Sequence, residues 1–326
     1  MQEETLEKIL VPTAPQYTPT TAVIIANPTS GSYTQNKQQI QETLAYLQKH
    51  GWQVDLCLTR SAGDARKIAR EAVEQHISVV VAVGGDGTIN EVIQELAHSD
   101  TALGVLPSGT VNVWARETAI PLDNVGAREV LLHGRIRTID LGQMSDRYFL
   151  LMAGIGFDGE VTKAVEKKSV KRFGVLGYFF VGAWLGLGYP SFRVTIQMGE
   201  RTIRTTAIQI IIGNTQLYAG AIKYTWQAMC DDGLLDVCIL RKQNAFGRVA
   251  VAIDFLLRRE QRRNWVQYET CKDIKIRTRR RVAVQIDGDS AGETTRSFPP
   301  VTFCVAANAL KVIVPHNVPE GLFSKP

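Results

Sequence analysis

Gly84-Gly85-Asp86-Gly87-Thr88 is the stretch of this sequence best suited to hold a reactive ligand. It follows the apolar, β-branched run Ser78–Val83 and precedes Ile89-Asn90-Glu91-Val92-Ile93, which has helical spacing. Strand, glycine turn and helix in that order aim the N–H groups of the turn and of the first helical turn at one point, and such a point binds anions, usually phosphate. The glycines let the backbone turn tightly and approach a ligand closely. Asp86 does not suit a plain phosphate nest. Its charge repels phosphates unless a divalent cation, or a donor on another loop, lies between. The stretch therefore reads as a nucleotide–metal loop. It lacks the Gly-Lys-Ser/Thr of the P-loop and the glycine spacing of protein kinases and dinucleotide folds. The competing reading is a βα turn with Asp86 as an ordinary helix N-cap.

Such a loop needs a sheet behind it. Ala22–Ala26 reads as a short buried strand, followed directly by Asn27-Pro28-Thr29-Ser30-Gly31. Lys37–His50 has helical spacing and stops at Gly51, Gln53–Leu58 alternates as a strand, and Ala62–Gln75 reads as a helix. Leu103–Leu106 is a further strand, followed by Pro107-Ser108-Gly109-Thr110-Val111-Asn112, and Val125–His133 reads as a helix. This βαβα alternation predicts a parallel sheet with helices on both faces. Turns at Asn27, Gly84 and Pro107 all follow strands, and in an open α/β sheet those strand ends form the ligand crevice. Three turns of Gly, Ser, Thr and Asn gathered there suit a nucleotide.

The pattern changes near Thr138. Short strands dominate: Thr138–Leu141, Tyr148–Ala153, Phe192–Met198, Ala207–Ile212, Leu235–Leu240, Ile274–Arg277 and Val282–Ile286. The helical exceptions are Glu160–Arg172 and Ala245–Arg259. A mostly antiparallel β domain is expected from about residue 140. Lys311–Pro315 is a late apolar strand that either closes this domain or returns to the first.

The 326 residues leave room for two cores. A hydrophobic content of 45% with 21% charged residues is that of a soluble globular protein. The net charge of +5 is compatible with anionic substrates or an anionic membrane surface. Cys57, Cys230, Cys238, Cys271 and Cys304 form no Cys-x-x-Cys, and the five histidines show no metal-ligand spacing, so reduced thiols in a cytosolic compartment are expected. Glu3, Glu4 and Glu7 argue against a secretory signal.

Taken together and in order, Asn27-Pro28-x-Ser30-Gly31, Gly84-Gly85-Asp86-Gly87-Thr88-x-Asn90-Glu91 and Leu106-Pro107-x-Gly109-Thr110-x-Asn112 resemble the diacylglycerol kinase catalytic family. The likeness is to its soluble bacterial lipid kinases, relatives of sphingosine and ceramide kinases, and runs from about Thr21 to Pro315. The glycine motif alone is shared with NAD kinases and phosphofructokinases. Residues 1–20, polar and with Pro12, Pro15 and Pro19, read as a loose tail; the resemblance implies an α/β ATP-binding domain over 21–139 and an antiparallel β-sandwich lipid-substrate domain over 140–315, with a tail over 316–326. It implies ATP in the crevice between the domains. The matching positions are Asn27, Ser30, Thr59, Gly84, Gly85, Asp86, Gly87, Thr88, Ile89, Asn90 and Thr110, with Asp86 holding Mg²⁺ on the nucleotide directly or through water.

Further matches fall in the second domain. Met229-Cys230-Asp231-Asp232-Gly233-Leu234-Leu235-Asp236 matches a family segment in which Asp232, with carbonyls near Met229 and Leu234, would bind a structural Mg²⁺. Carboxylate and carbonyl oxygens are what a hard cation takes, although Asp-Asp-Gly is also ordinary turn chemistry. Ile286-Asp287-Gly288-Asp289 matches the family's Asp-Gly-Glu, whose glutamate is the proposed general base. Here Asp289 holds that position, one methylene shorter, and Glu293 is near enough in sequence to substitute. Asp158 matches an acidic cleft position that would place the acceptor, with a helix N-cap as its alternative. Val113 departs from the acidic residue that often follows Asn112 in relatives.

Lys163, Lys167, Lys168, Lys171 and Arg172 precede the uncharged run Phe173–Phe192, which by length alone could cross a membrane. Its five glycines, Gly174, Gly177, Gly182, Gly186 and Gly188, with Pro190, and its place mid-domain, argue against a transmembrane helix. It reads as an apolar helix lining a lipid-chain pocket, or as a buried core helix with a solvated basic start. Arg258, Arg259, Arg262, Arg263, Arg277 and Arg279–Arg281 add positive charge, and no recognised nucleic-acid module accompanies them. The expectation is an ATP- and Mg²⁺-dependent lipid kinase, cytoplasmic and in peripheral membrane contact, acting on diacylglycerol or a similar lipid. Alternatives are an NAD kinase-like enzyme and a non-catalytic nucleotide-binding regulator. The acceptor and the oligomeric state, a homodimer included, stay open.

Overall fold

The computed structural model describes residues 20–28, 33–167, 188–218, 220, 222–257 and 264–324. Ser30, the tail before residue 20, Lys168, Lys171, Arg172, the apolar run up to residue 187, and Arg258, Arg259, Arg262 and Arg263 lie outside the described residues.

The first half is a parallel sheet of β1 (Thr21–Ala26), β2 (Gln53–Leu58), β3 (Val79–Gly84) and β4 (Ala102–Pro107), in the order β4-β3-β1-β2. All six residues of β3 are buried, as an apolar run covered on both faces must be. Around it pack α1 (Tyr33–Lys49), α2 (Asp64–Glu74), α3 (Asp86–Leu96) and α5 (Asn124–His133). Ala65, Ala69 and Ala72 form the buried face of α2, and Asp123 caps α5 by accepting from Gly126 N–H at 2.8 Å. One short helix, α4 (Val113–Glu117), falls where no periodicity shows, because five residues are too few to display one.

The second half is antiparallel. It comprises β5 (Arg135–Met144), β6 (Arg147–Phe149), β7 (Met152–Gly156), β8 (Phe192–Met198), β9 (Arg201–Gly213), the short β10 (Leu217–Tyr218) and β11 (Ile222–Lys223), β12 (Leu235–Arg241), β13 (Val266–Cys271), β14 (Asp273–Thr278), β15 (Val282–Ile286), β16 (Asp289–Thr294) and β17 (Val301–Val314). The helices α6 (Phe157–Lys167) and α7 (Ala245–Leu256) accompany it. Strand β17 joins the halves: Lys311 and Val312 pair in parallel with Ala102 and Leu103, while its earlier residues pair antiparallel with β14 and its length with β5. Both destinations that the sequence allows for the last strand are therefore occupied by one long strand.

Two differences from the sequence expectation have a physical cause. Tyr148–Ala153, expected as one strand, is split into β6 and β7, because the N–H groups of Leu150, Leu151 and Met152 turn to the Asp287 carboxylate at 2.8, 3.0 and 2.9 Å. Strands β13 and β16 pass unnoticed in the sequence because polar residues occupy most of their positions. Among the described residues, no helix is long and apolar enough to cross a membrane.

Candidate active site

Asn27, Gly84 and Pro107, where the three turns predicted from sequence begin, lie at the C-terminal ends of the neighbouring parallel strands β1, β3 and β4, and hydrogen bonds tie those ends. Thr59 N–H donates to Ala26 C=O at 3.0 Å, joining the end of β2 to that of β1, where Asn27 follows. Ser108 N–H donates to Gly84 C=O at 2.9 Å. Gly63 N–H donates to the Glu91 carboxylate at 3.1 Å, which fastens the turn after Thr59 to α3. Asn112, in the left-handed region at φ 53°, closes the third turn by accepting from Gly109 N–H at 2.9 Å and donating to Gly109 C=O at 2.8 Å. Thr110 stays exposed at its tip.

Gly85 and Gly109 are glycines because their backbones touch. A Cβ on Gly109 would lie 2.5 Å from Gly85 Cα, and one on Gly85 would lie 3.2 Å from Gly109 Cα. The glycine loop and the Pro107 turn thus form one continuous backbone surface. Thr88 and Ile89 N–H return to Gly85 C=O at 3.0 and 3.3 Å, so α3 starts at Asp86 with no side chain capping it. Asp86 is not the N-cap of its own helix. Its carboxylate accepts from Val113 N–H at 3.0 Å and Trp114 N–H at 3.2 Å, capping α4 across the site. Two backbone donors from another element thus face its charge. Burial pushes the Asp86 carboxyl up, and those N–H groups pull it down.

The hairpin between β15 and β16 closes the site from the other half. Asp287, at φ 46°, is half-buried, and the desolvation of its carboxyl pushes it up to about 6, against the three N–H bonds it accepts from residues 150–152; the nearby Asp86 pushes it the same way. Asn90 Nδ2 of α3 also donates to it, at 3.1 Å. Gln94, one turn on, donates to Tyr148 C=O at 3.0 Å and accepts from Tyr148 N–H at 2.9 Å. Asp289 is exposed and pairs with Arg147 Nη2 at 2.9 Å. Glu293 pairs with Lys163 Nζ at 2.6 Å, which holds its carboxyl below the usual range and makes it a weak base.

Asp158 sits in the first turn of α6, 2% exposed, and accepts from Tyr218 Oη and from Gln285 Nε2, the latter at 2.5 Å. Burial lifts it to about 6. Glu117, at the end of α4, is 4% exposed and accepts from Gln216 N–H at 2.7 Å and Leu217 N–H at 2.9 Å. The helix that Asp86 caps thereby reaches the strand that carries Tyr218.

The Asp231–Asp236 segment is anchored elsewhere, on β5: Asp140 accepts from Gly233 N–H at 2.6 Å, and Arg137 pairs with Asp231 at 3.4 Å. Asp232 accepts from Leu234 N–H at 3.0 Å. Asp236 is 9% exposed, and its side chain forms no hydrogen bond or ion pair among the described residues; burial, then the Asp232 charge, raise it to about 7. Two carboxyl groups of which one feels the other's charge, and is itself desolvated, suit a hard cation's donor set. Among the described residues, no three His, Cys, Asp or Glu side chains cluster as a metal site, so backbone oxygens such as those of Met229 and Leu234 would have to complete it.

Asp287, Gln285, Tyr218, Glu117 and Arg147 escape sequence reasoning as site residues. Gln285 could have been found as the polar residue in the buried strand Val282–Ile286.

Residues 21–144 match the family model of the diacylglycerol kinase catalytic domain, and residues 152–314 that of the YegS C-terminal NAD kinase beta sandwich-like domain. A diacylglycerol kinase of Bacillus subtilis (strain 168) is 31% identical over 307 residues, 92% of this chain and 98% of that one. A diacylglycerol kinase of Staphylococcus aureus (strain MRSA252) is 31% identical over 280 residues, 85% of this chain and 88% of that one. The crystal structure of a diacylglycerol kinase from Bacillus anthracis str. Sterne shares the fold, with a TM-score of 0.71 at 20% identity over 91% of this chain and 97% of that one. By sequence likeness over most of its length and by the two domains it matches, this chain belongs to the diacylglycerol kinase family.

Proposed function

We propose that this kinase transfers the γ-phosphoryl group of ATP to a hydroxyl of diacylglycerol or a similar lipid. The observation that carries the reading is the meeting of the glycine loop with the Asp287-Gly288-Asp289 hairpin through Asn90. It ties the helix behind the glycine loop to a carboxylate-bearing turn from the other half, which would bring a nucleotide phosphate and a proton acceptor to one place.

Backbone N–H groups of the glycine loop and α3 would hold the phosphates, lined by Asn27, Ser30, Thr59, Gly84–Asn90 and Thr110. Mg²⁺ would supply charge neutralisation on the phosphate oxygens. Asp86 has the lone pairs to hold it through water, beyond those used by Val113 and Trp114 N–H. Asp232, with the backbone carbonyls near Met229 and Leu234 and with Asp236 alongside, would hold a second, structural cation. Asp289 would accept the proton of the lipid hydroxyl as its oxygen attacks phosphorus, and Asp158, set by Tyr218 and Gln285, would orient that hydroxyl. Phosphoryl transfer needs little covalent help, so orientation and charge carry the rate. The lipid substrate implies peripheral contact with a membrane from the cytoplasm.

The likeness of the second half to an NAD kinase sandwich keeps a dinucleotide acceptor as the second reading. Incubation with labelled ATP, Mg²⁺ and either NAD or a total lipid extract decides between them. A labelled lipid supports the proposal, labelled NAD replaces it, and ATP binding with neither product marks a non-catalytic regulator.

A further inference from the structure

Three neighbouring strands of the second half carry a cationic lattice on their outer face. Strand register sets Arg277 of β14 opposite Thr195 of β8, and Thr195 opposite Arg204 of β9. One row along, Arg279 N–H donates to Arg193 C=O at 3.0 Å, and Arg193 stands opposite Thr206. The row on the other side begins with Lys275, opposite Gln197, itself opposite Thr202. Burial confirms the face: Arg193, Arg204, Lys275, Arg277 and Arg279 are exposed, while the intervening Val194, Ile196 and Ile276 are buried.

These nine positions hold five cations and no carboxylate. No ion pair among the described residues involves any of the five. Like charges placed directly opposite, as Arg193 and Arg279 are, destabilise a sheet. The arrangement is therefore a liability to the fold that a bound anion would turn into an attraction.

We infer that this face docks the protein on an anionic lipid bilayer, with arginines 193, 204, 277 and 279 on headgroup phosphates. Guanidinium groups match phosphate oxygens in paired fashion, and Thr195, between Arg277 and Arg204, and Thr206, opposite Arg193, add hydroxyl donors. The depression they line, about 460 Å³, exceeds what one free phosphate fills. The lattice covers about 10 by 14 Å, a spread suited to several headgroups in a plane. No aromatic side chain stands among the nine positions, so bases would find nothing to stack on. The choice of a bilayer as occupant rests on the lipid-kinase reading, but its test does not.

The test is co-sedimentation, without ATP, with vesicles of phosphatidylcholine alone or mixed equally with phosphatidylglycerol. Wild type is compared with the triple variant Arg193→Thr, Arg277→Thr, Arg279→Thr, and with a control removing equal charge elsewhere, Lys37→Gln, Lys49→Gln, Lys67→Gln. Wild type and control should bind the anionic vesicles alone, and each arginine removed should weaken partitioning about fivefold, roughly a hundredfold for three. The triple variant should melt no lower than wild type, since a repulsion has been removed. It should keep wild-type turnover on a water-soluble short-chain diacylglycerol and lose it on vesicle-borne diacylglycerol. Unchanged partitioning of the triple variant, equal loss in the lysine control, or equal binding to neutral vesicles would overturn the inference. If wild type phosphorylates no lipid, the kinase reading fails and the vesicle result still stands.

Discussion

Asn90 Nδ2 donates to Asp287 Oδ2 at 3.1 Å, joining two residues 197 positions apart in sequence. Asn90 is buried and Asp287 half-buried, and the bond couples the helix behind the glycine loop to the hairpin that carries Asp289. Asp287 also gathers three successive N–H groups, so one carboxylate fixes the chain segment, the hairpin and the helix together. Replacing Asp287 by alanine leaves buried donors without acceptors, each costing about 1–3 kcal/mol. Asp287→Ala should lower unfolding free energy by about 3 kcal/mol or more in urea titration. A double-mutant cycle with Asn90→Ala should show coupling of about 0.5–3 kcal/mol.

The contact of Gly85 with Gly109 makes an asymmetric prediction. A methyl at 109 meets backbone at 2.5 Å, whereas one at 85 meets it at 3.2 Å. Gly109→Ala should force the turns apart, cost about 1–3 kcal/mol and weaken nucleotide binding. Gly85→Ala should do both to a smaller extent, as measured by calorimetric titration with an ATP analogue.

Legibility in the sequence followed the kind of contact involved. Turns built from local glycine, proline and asparagine stood out, because such residues answer a backbone requirement within a few positions. The roles of Asp287 and Glu117 did not, because each accepts from N–H groups about a hundred or more residues away, and nothing near either residue records that. Asp86 shows both sides. Its place in the loop was legible, but its partners belong to α4, a helix too short to announce itself. Strand β17 was read only at its end, since Asn308 and the irregular pairing between Ala306 and Leu310 interrupt its apolar pattern.

Asp86→Ala should strip the cap from α4 at a cost of about 0.5–2 kcal/mol, and abolish turnover. Near-normal activity in a folded Asp86→Ala protein would reject any role for this carboxylate in holding the nucleotide's cation.

Asp289 and Glu293 differ in their partners. Arg147 pairs with the exposed Asp289, whereas Lys163 lowers the Glu293 carboxyl and keeps it charged. Asp289→Asn should reduce kcat by about 10²–10⁴-fold, the usual share of a general base, with ATP affinity kept. Glu293→Gln should leave kcat within a few-fold. The reverse outcome would transfer the role to Glu293.

The buried carboxylate of Asp236 ties metal binding to pH. Its folded value, about 7, lies above the ordinary 3.8. A carboxyl raised in this way contributes stability that is complete below the ordinary value and lost as pH rises through the folded one. Without divalent cation, wild type should therefore lose stability between about pH 4 and pH 7, by about 4 kcal/mol at most, at 1.4 kcal/mol per unit of displacement. Asp236→Asn should lack this component. The difference between the two proteins isolates it from Glu117, which burial also raises to about 7 and which both retain. Mg²⁺ at the Asp232 and Asp236 oxygens would favour the charged form, so it should raise the wild-type melting temperature at pH 8 and flatten the pH dependence. Asp232→Asn should blunt the Mg²⁺ effect. A wild-type melting curve at pH 8 that ignores millimolar Mg²⁺ would remove these two carboxylates from any cation site and leave the segment as a turn.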